Sequence, residues 1–179
     1  MRPLALLLGL GLPALAHQPF WNPGSPSLEE AYRLARPTVA QVVIGRLAPG
    51  ERHFFRLEVP QGFPLDVGLF VGGACPEAFQ PRLWLLGPGL RGEAPPFPLL
   101  EGYGARVYQG GWRDYRGHGL VARKGPGARE RLPGGVHYLV VEAGPSGGYY
   151  LLSLAGAEVP GGSPEGFAAI PRFNRCGEP

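Results

Sequence analysis

The sequence predicts an all-β fold with long irregular loops and little helix, on three observations. Apolar residues alternate with a period of two in several short blocks, as in residues 53–59, where Phe55, Leu57 and Val59 share one face. Glycine (30) and proline (22) fall mostly between those blocks, where turns are needed. Patterns of helical period are nearly absent. Short strands separated by Gly/Pro turns point to an antiparallel sandwich or barrel.

The chain opens with MRPLALLLGLGLPALA. Arg2 supplies a positive start, residues 4–12 are apolar and uncharged, and Ala14-Leu15-Ala16 is a small-x-small cleavage site. That is the layout of a secretory signal peptide over residues 1–16. The apolar run is far below the roughly 20 residues needed to cross a bilayer. The mature chain is therefore expected to begin at His17, to lie in the periplasm or outside the cell, and to carry no membrane span. Residues 17–179 are expected to form one domain, with core strands over 38–156.

Residues 17–37 read as mostly extended. One or two helical turns are expected over residues 27–34, with Ser27 as cap and Glu30 three residues on. Strands follow at 38–44, 53–59, 65–71, 82–86, 136–141 and 149–155. Their shared phase predicts a buried set of Phe55, Leu57, Val67, Leu69, Leu83, Leu85, Leu139, Val141, Tyr150, Leu152 and Leu154. By the same phase Phe54, Phe70, Trp84 and Tyr149 point outward. So many outward aromatics need cover, either from the rest of the chain or from a partner. Residues 87–119 read as a loop-like insert. Tyr103, Tyr108, Trp112 and Tyr115 are spread along it and make it a candidate binding surface, or a lid over apolar surface. Residues 157–179 read as an irregular tail.

The two cysteines, Cys75 and Cys176, are expected to pair in an oxidising compartment; free thiols or a soft-metal pair are the alternatives. Nucleic acid is not expected as a partner. Without Arg2 there are 16 basic residues against 14 acidic ones, and the basic residues are scattered singly.

Two passages resemble the bacterial pre-peptidase C-terminal (PPC) domains. LAPGERHFFRLEVPQG (47–62) looks like that family's G-E-x-x-x-Y-x-F-x-V-x-x-G opening hairpin, with Phe55 and Leu57 in its inward positions. LPGGVHYLVV (132–141), followed by GYYLLSL (148–154), looks like its closing strand pair, and residues 82–86 fit the L-x-L strand between. The resemblance covers residues 45–156 and implies a secreted, jelly-roll-like β-sandwich without catalysis. Such a domain acts as an accessory or binding module on a protein or glycan partner in the cell envelope. Some relatives bind calcium, but no tight Asp/Glu/Asn cluster occurs here.

Enzymatic motifs are missing. There is no G-x-S-x-G elbow, P-loop or dinucleotide fingerprint, and Asp66 and Asp114 are the sole aspartates. No enzyme and no cofactor are expected on the main reading. The alternative is copper. Cleavage after Ala16 would give His17 both a free α-amine and an imidazole, and nitrogen ligands of this kind suit Cu(II). A second imidazole is required: His118 is the first choice, since its Gly-flanked loop reads as free of any strand. His53 reads as a solvated strand start and His137 as a core filler. A purely structural envelope role is the third reading.

Overall fold

The computed structural model describes residues 17–178. The expected signal peptide lies outside the described residues. Two mixed sheets pack face to face, and one helix lies on the outside of the larger sheet. The first sheet has the order β1-β3-β11-β5-β9-β8. Its strands are β1 (Gln18–Asn22), β3 (Gln41–Leu47), β5 (Phe63–Gly72), β8 (Arg113–Gly117), β9 (Leu120–Leu132) and β11 (Gly148–Leu154). The second has the order β2-β4-β10-β6-β7. It comprises β2 (Tyr32–Arg33), β4 (Arg52–Val59), β6 (Arg82–Pro88), β7 (Tyr103–Tyr108) and β10 (Gly135–Glu142).

The pairing is antiparallel except at two edges, where the N-terminal segment runs parallel to its neighbours as β1 beside β3 and β2 beside β4. All eleven residues of the predicted buried set lie in the main core between the sheets, each at most 2% exposed. Period-two burial on both facing layers is what a sandwich requires.

Three local expectations are corrected. No helix forms over residues 27–34. Ser27 Oγ does accept from the Glu30 N–H at 3.2 Å, as a cap would. Tyr32 and Arg33 nevertheless pair with β4, and Tyr32 packs on Phe55 with centroids 5.7 Å apart. The tertiary contact of an aromatic ring outweighs a marginal helical turn. The insert at 87–119 is not all loop: β7 extends the second sheet beside β6, and β8 forms a hairpin with β9. The tail is not irregular either. It contains α1 (Pro164–Asn174), with Ser163 Oγ accepting from the Gly166 N–H at 3.0 Å and Pro164 in the first turn.

The outward aromatics are covered by the chain itself. Phe54 (4% exposed) and Trp84 (2%) form a second small core with Leu86, Tyr138 and Val140, roofed by Leu28, Phe97, Leu99 and Tyr103. Phe97 presents an edge to both Phe54 and Trp84, at 5.4 and 5.6 Å. Phe70 packs against Tyr115 at 5.1 Å, and Tyr149 against Trp21 at 6.1 Å.

Cys75 and Cys176 form a disulfide that ties the end of α1 to the turn after β5. The bond fits an oxidising location such as the periplasm or the cell exterior. Among the described residues no helix is long and apolar enough to cross a membrane.

Candidate functional site

A small cavity of about 80 Å³ opens on the outer face of the larger sheet. Its floor is the outward phase of the strands: Val42 from β3, Phe70 from β5, Leu151 and Ser153 from β11. Tyr115 of β8 and Leu120 of β9 form one wall, and Ile170 of α1 another. His17 and His118 also line it, although 101 residues of sequence separate them. The two imidazoles are the only nitrogen-bearing side chains in an otherwise apolar lining, in which the Tyr115 and Ser153 hydroxyls are the other polar groups.

Each histidine is positioned by a defined element. His17 immediately precedes β1, whose first amide, on Gln18, donates to the Ala40 carbonyl at 3.0 Å. The Gln18 side chain donates to the Val159 carbonyl at 3.1 Å, so the chain is held on both sides just after His17. His118 is not in a free loop, contrary to the sequence expectation. It occupies, with Gly119, the two-residue tip of the β8–β9 hairpin, between the paired residues Gly117 and Leu120. Both tip residues have positive φ, 50° and 77°. This is the primed turn that matches strand twist, and it normally favours Asn or Gly at its first position. A non-glycine residue with positive φ is uncommon, and histidine is among the residues that adopt it more readily.

Helix α1 clasps both segments. Its last residue, Asn174, donates through Nδ2 to the Gly119 carbonyl at 2.9 Å and accepts the Val121 N–H at Oδ1, also at 2.9 Å. At its other end the Ser163 N–H donates to the Pro19 carbonyl at 2.9 Å. Arg172 lies over the Trp21 ring at 4.8 Å. Asn174 and α1 lie in the segment that the sequence presents as an irregular tail; the pair Ala169 and Phe173, four apart behind a Ser-Pro-Glu start, is the signal that marks the helix.

The electrostatics favour a neutral imidazole at His17. Burial pushes it below the ordinary 6.5, Glu158 nearby pulls it up, and a charge on His118 pushes it down again. Among the described residues no group of three or more His, Cys, Asp or Glu side chains is arranged to hold a metal ion. A metal here would rest on the two imidazoles and on the His17 nitrogen freed by cleavage.

The other histidines are committed elsewhere. His53 is not solvated, as the sequence suggested, but 3% exposed. Its Nδ1 accepts from the Tyr150 hydroxyl at 2.7 Å and its Nε2 faces Glu51 at 3.1 Å. Asn22 donates to the same Tyr150 oxygen at 3.4 Å and to Ser25 Oγ at 2.8 Å. Asn22 and Tyr150 belong to one sheet and His53 to the other, so this buried chain fastens the sandwich across its layers. His137 is fully buried, its Nδ1 donating to the Gly135 carbonyl at 3.3 Å, while Nε2 has no hydrogen-bond partner among the described residues.

The four aromatic residues of the insert do not converge on one surface. Tyr115 faces the cavity. Tyr103 donates to the Val136 carbonyl at 2.7 Å within the second core. Tyr108 donates to Glu130 at 2.7 Å, and burial together with that carboxylate pushes its hydroxyl up to about 12. Trp112 lines a separate cleft with Arg52, Arg82 and Glu142.

One consequence is a pH dependence. Burial lowers the imidazoles of His17, His53 and His137 below the ordinary 6.5. Between those depressed values and 6.5 the unfolded chain holds more protons than the folded one, so stability is complete above about pH 6.5 and falls as the pH drops through the folded values. Melting temperature is expected to fall from pH 8 to pH 5. His53→Gln, which cannot take up a proton, should flatten part of that slope; an unchanged slope would show that His53 titrates normally.

No protein-family model matches the sequence, and no curated protein matches it.

Proposed function

We propose that this chain is an exported, non-catalytic binding protein of the kind its PPC-like sequence resemblance implies, and that its ligand is a copper ion carried by His17 and His118. The convergence of these two residues on one cavity is the observation that carries this reading. A ligand set of two imidazoles and one amine, with no thiolate, matches the nitrogen preference of Cu(II) and the top of the divalent affinity order. The apolar floor limits water around the ion, and the hairpin tip held by Asn174 fixes one ligand before binding, which reduces the entropy lost on coordination. Holding and handing over the ion is the role proposed.

Processing at Ala16 is part of the reading, because a peptide nitrogen at His17 would be a far poorer ligand than an amine. Protein exported through its own signal, with His17 confirmed as the first residue, should bind one Cu(II) with a nitrogen-rich paramagnetic resonance spectrum. One extra residue ahead of His17 should weaken binding at least about tenfold, the least expected for losing a direct ligand when even supporting groups are worth that much. His118→Asn, which suits the positive φ of the hairpin tip, should do the same without loss of fold. Equal affinity in the authentic and extended proteins would refute the site. Binding should also weaken below about pH 6, as protons displace the metal from imidazole and amine.

A further inference from the structure

A second site lies on the smaller sheet and does not depend on the copper reading. Glu142, at the end of β10, is 5% exposed and holds two arginines. It accepts from Arg52 Nε at 2.5 Å, from Arg82 through Nε at 3.1 Å and also through Nη2, and from Trp84 Nε1 at 3.3 Å. Each guanidinium is also stacked: Arg52 over Phe97 at 5.2 Å and Arg82 over Trp84 at 5.3 Å. The two arginines are thus fixed from beneath by a carboxylate and from the side by aromatic faces. Their side chains remain 31% and 39% exposed, and neither Nη1 has a partner among the described residues.

These arginines line an open cleft of about 560 Å³, inside the roughly 300–1,000 Å³ span of small-ligand pockets. Two positive charges against one buried negative leave the cleft with a surplus of one positive charge. Its other walls are Trp112, whose ring sits where a side chain at Gly125 would project, and the exposed amides of Gln80 and Gln109. Neither glutamine amide makes a hydrogen bond within the described residues.

We propose that this cleft binds a carboxylate-bearing saccharide, a uronic-acid oligomer. Fixed guanidinium forks recognise a planar carboxylate through paired N–H donors. An aromatic face beside them provides apolar area for the C–H face of a sugar ring, and the two glutamine amides supply both donors and acceptors for its hydroxyls. A bare inorganic anion would leave the aromatic wall and both amides unused, and a neutral sugar would leave the surplus charge unanswered.

The test uses the processed protein without copper, titrated with a galacturonic-acid trimer and followed by calorimetry and tryptophan fluorescence. A neutral glucose trimer and acetate serve as comparisons. The acidic trimer should bind at least about tenfold more tightly than either, the worth of one charge-assisted hydrogen bond, and more weakly as salt rises. Gln80→Ala combined with Gln109→Ala, at exposed positions whose side chains make no hydrogen bond among the described residues, should weaken binding while the melting temperature stays unchanged. Trp112→Leu should weaken it and remove the fluorescence change. Absence of binding by the acidic trimer would overturn the proposal. So would equal binding of the neutral trimer, or of acetate, or full affinity in the double glutamine variant. Copper binding at His17 is untouched by these variants, so failure here leaves that reading standing and failure there leaves this one.

Discussion

Replacing Cys75 and Cys176 together by alanine is expected to lower the unfolding free energy by about 4–5 kcal/mol, the chain-entropy value for a closed loop of about 100 residues. The bridge spans a sequence separation of 101, so it restricts most of the unfolded chain. The loss is a large fraction of the roughly 5–15 kcal/mol that ordinary domains possess. It should appear in denaturant unfolding as a lower midpoint at nearly constant native spectrum. A second effect should accompany it. Cys176 follows α1 by two positions, and Asn174 at the helix end holds the hairpin tip that carries His118. Without the bridge the Val121 N–H, which Asn174 accepts, should exchange faster with solvent, and copper affinity should fall before global unfolding begins. A cost below about 1 kcal/mol would mean that packing of Phe173 alone anchors the helix and that the unfolded chain is already constrained.

The strands that proved readable are those with large apolar residues on one phase. Phe55, Leu57, Leu83, Leu85, Leu139 and Leu152 announce their faces, and each is at most 1% exposed; much of the opposite phase is buried as well, in the second core. The longest strand, β9, did not announce itself. Its inward positions include Ala122 and Ala128, and a Gly-Pro-Gly sequence interrupts it at residues 125–127. The structure accommodates that interruption with a register shift opposite Gly68 and Phe70, where a proline without an N–H costs the ladder least. Small inward residues and a bulge remove the very amplitude on which period-two reading depends. In α1 the obstacle is Pro171, which lies inside the helix and cannot donate to the Phe167 carbonyl four residues back, so it argues against a helix from sequence alone.

The proposed site was legible in its two histidines and not in its supports. His17 stood out by position and His118 by its flanking glycines. What brings them together is the edge pairing of β1 with β3, the β8–β9 hairpin and the clasp of α1, each a long-range arrangement with little local signature. His53 misled for a related reason. Placed at the start of an exposed-looking strand, it is drawn inward because Tyr150, Asn22 and Glu51 satisfy its ring nitrogens there, and a satisfied imidazole can be buried at modest cost.

Trp84→Ala is expected to cost about 3–5 kcal/mol, as large for this outward residue as for a side chain of the main core. The alternation of β6 places Trp84 on the outer face of the smaller sheet, where a two-layer sandwich alone would leave it wet. It is 2% exposed because residues from the insert and the N-terminal segment form a roof over it. Truncation would open a cavity beneath Phe97 and remove the indole N–H that donates to Glu142. The buried carboxylate would keep its two arginines, and Arg82 would lose the aromatic face it rests on. Arg56→Ala, on β4 across β10 from Trp84, has an ion pair only with the exposed Glu58 at 4.0 Å and should stay within about 0.5 kcal/mol. Phe97→Ala separates the two roles of the roof: it should cost stability through the second core while leaving Glu142 its tryptophan donor. Chemical denaturation of the three variants decides the matter. If Trp84→Ala and Arg56→Ala cost the same, the roof is not packed against the sheet, and the outer aromatics are available to a partner after all.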